Sequence, residues 1–196
     1  NIGSFRIVEN YFHSLFFIAF HLSRSLFKVV YRAVKNCTFT GAVSGQKSVG
    51  AIAGINKSYG QIFECTSNAI VLATDYSGGI AGVNEGIIDA CINESKVNIE
   101  ELDPVLDLAG MDMGDLNIAQ TIVARNNTGG IAGKSSGIIR NCTNNATVGY
   151  EHTGYNVGGI AGYQNGVIIG CVNTGTIYGR KDVGGIVGQA WAEKTD

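Results

Sequence analysis

The sequence predicts an all-β fold: a parallel β-helix, expected to be right-handed, of about six coils, with a helical cap at its N-terminal end. Three observations carry this. A glycine-rich block recurs along the 196 residues, a cysteine follows it at a near-fixed distance, and the intervening runs are short, β-branched and bounded by Gly and Asn. Fixed-period self-similarity marks a repeat architecture, and runs without helical spacing read as strands and turns.

The block reads Gly50-Ala51-Ile52-Ala53-Gly54, Gly78-Gly79-Ile80-Ala81-Gly82, Gly129-Gly130-Ile131-Ala132-Gly133, Gly158-Gly159-Ile160-Ala161-Gly162 and Gly184-Gly185-Ile186-Val187-Gly188. Successive central Ile residues lie 28, 51, 29 and 26 positions apart. The long gap is read as a degraded sixth unit near residues 100–127. Leu108 falls 28 residues after Ile80, with Gly110 and Gly114 spaced like Gly82 and Gly86, Ala119 in the Cys slot and Arg125 in the Val slot.

Within a unit the block is followed by Ile62, Ile88, Ile139 or Ile168, then by Cys65, Cys91, Cys142 or Cys171, and six residues on by Val71, Val97, Val148 or Ile177. A small residue lies midway between Cys and Val: Gly41, Ala69, Ser95, Ala146 or Gly175. The three share one parity, so in extended backbone they face one side. Three short strands with corners make one coil, and glycine is expected at the corners for positive φ and for close backbone approach. Each buried Val or Ile contributes about 1.5–3 kcal/mol, enough for a stack although one coil alone cannot bury its own face.

Residues 1–35 differ in composition. They hold one of the 28 Gly and six of the eight Phe: Phe5, Phe12, Phe16, Phe17, Phe20 and Phe27. Leu15, Leu22, Leu26, Val29 and Val30 trace a helical stripe, with Arg24, Lys28 and Arg32 on another face. This segment reads as an amphipathic cap on the open end of the β-helix, because an uncovered strand edge invites aggregation. Membrane contact through its basic face is the lesser reading. Its longest apolar run, Leu15 to Phe20, falls far short of the ~20 residues of a spanning helix. Residues 36–196 form the repeat domain, which is expected to continue beyond the fresh block at Gly184–Gly188.

The net charge of −2 offers no basic footprint for nucleic acid. The five Cys show no paired metal-ligand spacing and read as a buried thiol ladder of small hydrophobes, so no metal or other cofactor is expected. Asn93, Asn144 and Asn173, two residues after Cys, read as a stacked amide ladder, and the sequons at Asn36, Asn141 and Asn145 follow from that pattern. Acidic residues gather at Glu100, Glu101, Asp103, Asp107, Asp112 and Asp115, which read as a solvated face rather than a calcium site. His13, His21 and His152 are scattered, and no catalytic residue is assigned. Thr fills seven of the eighteen outward positions one, three and five after the Cys slot, that of Ala119 included, but Ile92, Glu94 and Lys96 interrupt what would be an ice-binding array.

The unit from Gly78 to Val97 closely resembles the GLUG repeat, over roughly residues 36–190. That resemblance implies an extracellular β-helical module of a bacterial secreted or surface-anchored protein, as in adhesin-like proteins and the non-catalytic regions of IgA-specific zinc metallopeptidases. The expected function is a non-enzymatic structural or adhesive segment facing a host-protein, matrix or glycan ligand. The alternative is an accessory region that positions substrate for a secreted peptidase or a carbohydrate-active enzyme.

Overall fold

The computed structural model of the chain describes residues 32–100 and 125–192. These residues form an all-β solenoid of about five turns, built from parallel strands, and contain no helix. The first coil holds β1 (Arg32–Lys35) and β2 (Thr38–Gly50). The second holds β3 (Ala53–Asn56), β4 (Gly60–Phe63) and β5 (Thr66–Gly78). The third runs through β6 (Ala81–Asn84), β7 (Ile87–Asp89), β8 (Ile92–Asn93) and β9 (Lys96–Val97), and closes with β10 (Asn126–Gly129). The fourth comprises β11 (Ala132–Ser135), β12 (Ile138–Arg140), β13 (Thr143–Asn144) and β14 (Tyr155–Gly158). The fifth comprises β15 (Ala161–Gln164), β16 (Val167–Ile169), β17 (Val172–Asn173) and β18 (Lys181–Gly184), after which β19 (Val187–Ala190) opens another turn.

Three sheets result, two of five strands and one of nine. The repeat slots stack in register: Ala53, Ala81, Ala132, Ala161 and Val187 form one line across β3, β6, β11, β15 and β19. The parity read from the sequence holds. Cys65, Ala69 and Val71 are buried, whereas Asn68 and Ile70 between them are exposed. The Ile and Cys ladders make one core cluster and the Val and Ala positions a second.

Two expectations are corrected. The helical cap over residues 1–35 is not supported: its last four residues form β1, in register with β4, and residues 1–31 lie outside the described residues. The count of about six coils becomes about five among the described residues, because the coil of Ile80 pairs directly with that of Ile131, Ile88 with Ile139 and Ile92 with Thr143. The physical reason is that the third coil has already filled its inward slots with Ile80, Ile88, Cys91, Asn93 and Val97 before residue 100, and needs only β10 to close. Arg125 is not in the Val slot. Its carbonyl accepts from Tyr155 N as Gly154 O accepts from Arg180 N, one corner further on. Residues 101–124 lie outside the described residues.

The glycines of the block serve close approach rather than positive φ. Left-handed backbone recurs at two other slots, filled mostly by non-glycine residues. Just before the Cys it falls on Asn36, Glu64, Ala90, Asn141 and Gly170, and two residues before the block's paired-strand glycine on Ser48, Tyr76, Asn127, Asn156 and Asp182. Such a conformation costs roughly 1–2 kcal/mol for most side chains and less for Asn or Asp. The corner of each coil nests against a block glycine of a neighbouring coil. A Cβ on Gly133 would sit 2.5 Å from Tyr76 C and Ser77 N.

Candidate functional site

The interior is committed to holding the stack together. Asn93 donates to Asn144 Oδ1 (2.7 Å) and Ser95 O (3.1 Å), and accepts from Ser67 Oγ (2.8 Å) and Ser95 N (2.9 Å). Asn144 passes the pattern to Asn173 Oδ1 at 2.7 Å. A second ladder runs from Asn56 to Asn84 (2.8 Å) and on to Ser135 (3.1 Å). The amide stack expected from the sequence is therefore present, and each rung satisfies backbone groups as well as its neighbours.

The five cysteines are free thiols along one inner wall: Cys65, Cys91 and Cys142 are buried, Cys171 is half-buried and Cys37 exposed. Burial pushes the Cys65 thiol up. The thiols of Cys171 and Cys91, and then burial, push Cys142 up, while the hydrogen bond with Cys142 draws Cys171 down to about 7. Alkylation of the native protein is expected to modify Cys37 and Cys171 quickly and the three buried thiols only on unfolding, read by mass spectrometry of peptides. Fast modification of Cys91 or Cys142 would contradict the packed ladder. Among the described residues no group of three or more His, Cys, Asp and Glu is placed to hold a metal ion. Glu100 is exposed, and the other acidic residues singled out above lie outside the described residues, as do His13 and His21.

Variation is concentrated outside, first at one corner. Between the Val ladder and the strand that ends on the block, β5 passes without a break. At the same corner the third coil departs after Asn98 and returns at Arg125, and the fourth makes a short turn closed by an antiparallel bridge between Tyr150 and Thr153. Asn98 seals the departure. Its Oδ1 accepts from Ala73 N (2.8 Å), and its Nδ2 donates to Ser77 Oγ (2.6 Å) and Thr128 Oγ1 (3.0 Å). Arg125 at the return is buried, and that desolvation lowers its pKa. His152 lies exposed in the Tyr150–Thr153 turn.

A second outer feature is a run of cations and rings. Lys47 Nζ lies 5.0 Å from the Tyr76 ring centre, Lys134 Nζ 5.7 Å from the same ring and 5.6 Å from that of Tyr163. Further along, Arg180 stands 5.9 Å from the Tyr155 ring. The edge where β1, β4, β7 and β12 end is different: its charges neutralise each other. Lys35 pairs with Glu64 at 3.6 Å, and Arg140 with Asp89 at 2.8 Å. Burial pushes the Asp89 carboxyl up, but hydrogen bonds from Arg140 and Asn141 together with the Arg140 charge outweigh it, leaving the carboxyl below its ordinary range. A shallow recess beside this edge is lined by Ala33, Lys35, Phe63, Glu64, Asp89 and Ala90.

The outward Thr line is broken as the sequence implied. One row reads Thr38, Thr66, Ile92, Thr143 and Val172, and exposed Glu94 and Lys96 stand in the middle coil. Sequence reasoning missed the ring-and-cation run, although a signal existed: the position three after the block's Ile reads Ile55, Val83, Lys134, Tyr163 and Gln189. No protein-family model, curated protein or solved structure matches this chain.

Proposed function

We propose that the chain is a non-enzymatic structural and adhesive module of a secreted or cell-surface protein, of the kind its GLUG-like repeat pattern implies, with the solenoid serving as a rigid platform for an outward-facing binding surface. One observation carries the reading: the repeated polar and thiol side chains point inward and are spent on rung-to-rung bonds, while departures from the repeat fall at the outer corner and along the outer edges. A repeat scaffold with excursions on one side is how solenoids present binding surfaces.

The test is binding by the 196-residue chain to arrays of glycans and of host and matrix proteins. Saturable binding to at least one ligand is expected. A chain that bound none of them, yet was required to hold a neighbouring domain at a distance, would be a spacer and would refute the adhesive role.

A further inference from the structure

We infer that the Lys47–Tyr76–Lys134–Tyr163 edge is the ligand-binding surface of the module and that its ligand is a linear acidic polysaccharide, a chain whose carboxylates or sulfates are separated by sugar units. The inference rests on the adhesive reading above and names its ligand class.

Charge complementarity is the first argument. Among the described residues, Lys47, Lys134, Arg180 and Lys181 line this side against two carboxylates, Asp75 and Asp182, on a chain whose net charge is −2. Asp75 already accepts a hydrogen bond from Asn127 at 2.9 Å. Elsewhere Lys35, Lys57 and Arg140 are within ion-pair distance of carboxylates, whereas Lys47 and Lys134 have no such partner among the described residues. Their ammonium groups face aromatic rings instead. A ring holds a cation in place by its quadrupole without cancelling its charge, so these ammoniums are positioned and still available to an anion.

Spacing is the second argument. Tyr76 separates the two ammoniums, and Tyr163 continues the run, so the cations are sparse and set along the direction in which coils stack. The two ammoniums stand within about 11 Å of each other across the Tyr76 ring, roughly two strand spacings of ~4.8 Å. A duplex nucleic acid, with a charge every ~1.7 Å along its axis, calls for a dense basic footprint. An acidic polysaccharide carries its charges at wider intervals, and its hydroxyls suit the phenolic oxygens of Tyr76 and Tyr163 in the run.

Two substitutions can be taken from the ladders themselves and so suit the backbone. Asn occupies the Tyr76 slot at Asn127 and Asn156, also at positive φ, and Val83 occupies the Lys134 slot. The experiment measures retention and affinity of the full chain on immobilised hyaluronan and chondroitin sulfate, with dextran as a neutral polymer and oligo-dT as a nucleic acid. Binding to an acidic polysaccharide, weakened by added salt and absent on dextran, is expected. Tyr76→Asn with Lys134→Val should weaken it at least tenfold, while Lys57→Gln on another edge leaves it unchanged. If the double variant loses its strand circular-dichroism signal, the exposed Lys47→Gln change carries the test, with a loss of at least threefold expected. Equal binding by wild type and variants, retention on neither acidic polymer, or equal or tighter binding to oligo-dT would overturn the inference. Binding on the glycan and protein arrays alongside any of these results leaves the adhesive reading standing; no binding on any of them removes both.

Discussion

Gly79→Ala is expected to destabilise the chain by at least about 4 kcal/mol, or to prevent folding, whereas Gly185→Ala should change stability by less than about 0.5 kcal/mol. Both residues occupy the second position of the block. A Cβ on Gly79 would run into Asn93 Oδ1 and the Gly130 carbonyl of the neighbouring coil, whereas one on Gly185 would meet nothing within 4 Å. The obstacle is backbone plus a buried amide that already makes four hydrogen bonds, so it cannot give way cheaply. Gly130 and Gly159 face the same two kinds of atom, a carbonyl and an Asn side chain of the ladder, so the block is a record of coil-to-coil contact. Urea unfolding of the two variants measures the difference. Equal midpoints would mean that the coils do not approach each other in this way.

Asn93→Asp is expected to cost about 3–5 kcal/mol at pH 7, the scale of an uncompensated buried charge. The substitution keeps shape and removes one donor group. Its new oxygen would face Asn144 Oδ1 and Ser95 O, both acceptors, in a position fully closed to solvent. Burial and these acceptors favour the protonated acid, which raises the folded-state pKa of the new carboxyl above its unfolded value of about 3.9. The penalty is therefore small below that unfolded value, grows as pH rises from it towards the folded pKa, and is fully present above. Comparing wild-type and variant stability from pH 3 to 8 checks both magnitude and sign. A penalty that stayed flat with pH would show that the ladder amide is not desolvated as described.

Much of the fold was legible because a solenoid repeats its reasons. The Cys, the small residue and the Val of each unit share a parity that only a strand with one buried face demands, and Cys65, Ala69 and Val71 are buried accordingly. The Asn two after Cys could be read as a ladder for the same reason. The coil count came out one too high because Leu108, Gly110 and Gly114 keep the spacing of a unit, although Ala119 and Arg125 supply neither the thiol nor the Val of the other units. Positive φ is only partly the work of glycine, at Gly41, Gly149, Gly154 and Gly170. Glycine invites that reading, whereas here Asn36, Asn141, Asn127 and Asn156 supply the left-handed corners and even Glu64, Ala90 and Tyr76 adopt them, because the adjoining ladders over-determine the backbone. The Lys47–Tyr76–Lys134–Tyr163 run was not legible from one unit at a time. Lys134 and Tyr163 share one slot, but Lys47 and Tyr76 belong to two others, and only stacking brings the four together.

The central claim is that the coil of Ile80 sits directly on the coil of Ile131, with nothing between them. Spin labels on the outward positions test it, in a Cys37→Ser, Cys171→Ser background where the three buried thiols stay unmodified. Ile92 and Thr143 are register neighbours, and Thr66 lies one rung beyond Ile92. A direct stack gives the Ile92–Thr143 pair the same strong dipolar broadening as the Thr66–Ile92 pair, at about one strand spacing of ~4.8 Å between backbones, and weaker broadening for Thr66–Thr143. Broadening for Ile92–Thr143 as weak as that of a two-rung pair would place another coil between them and contradict the five-turn architecture.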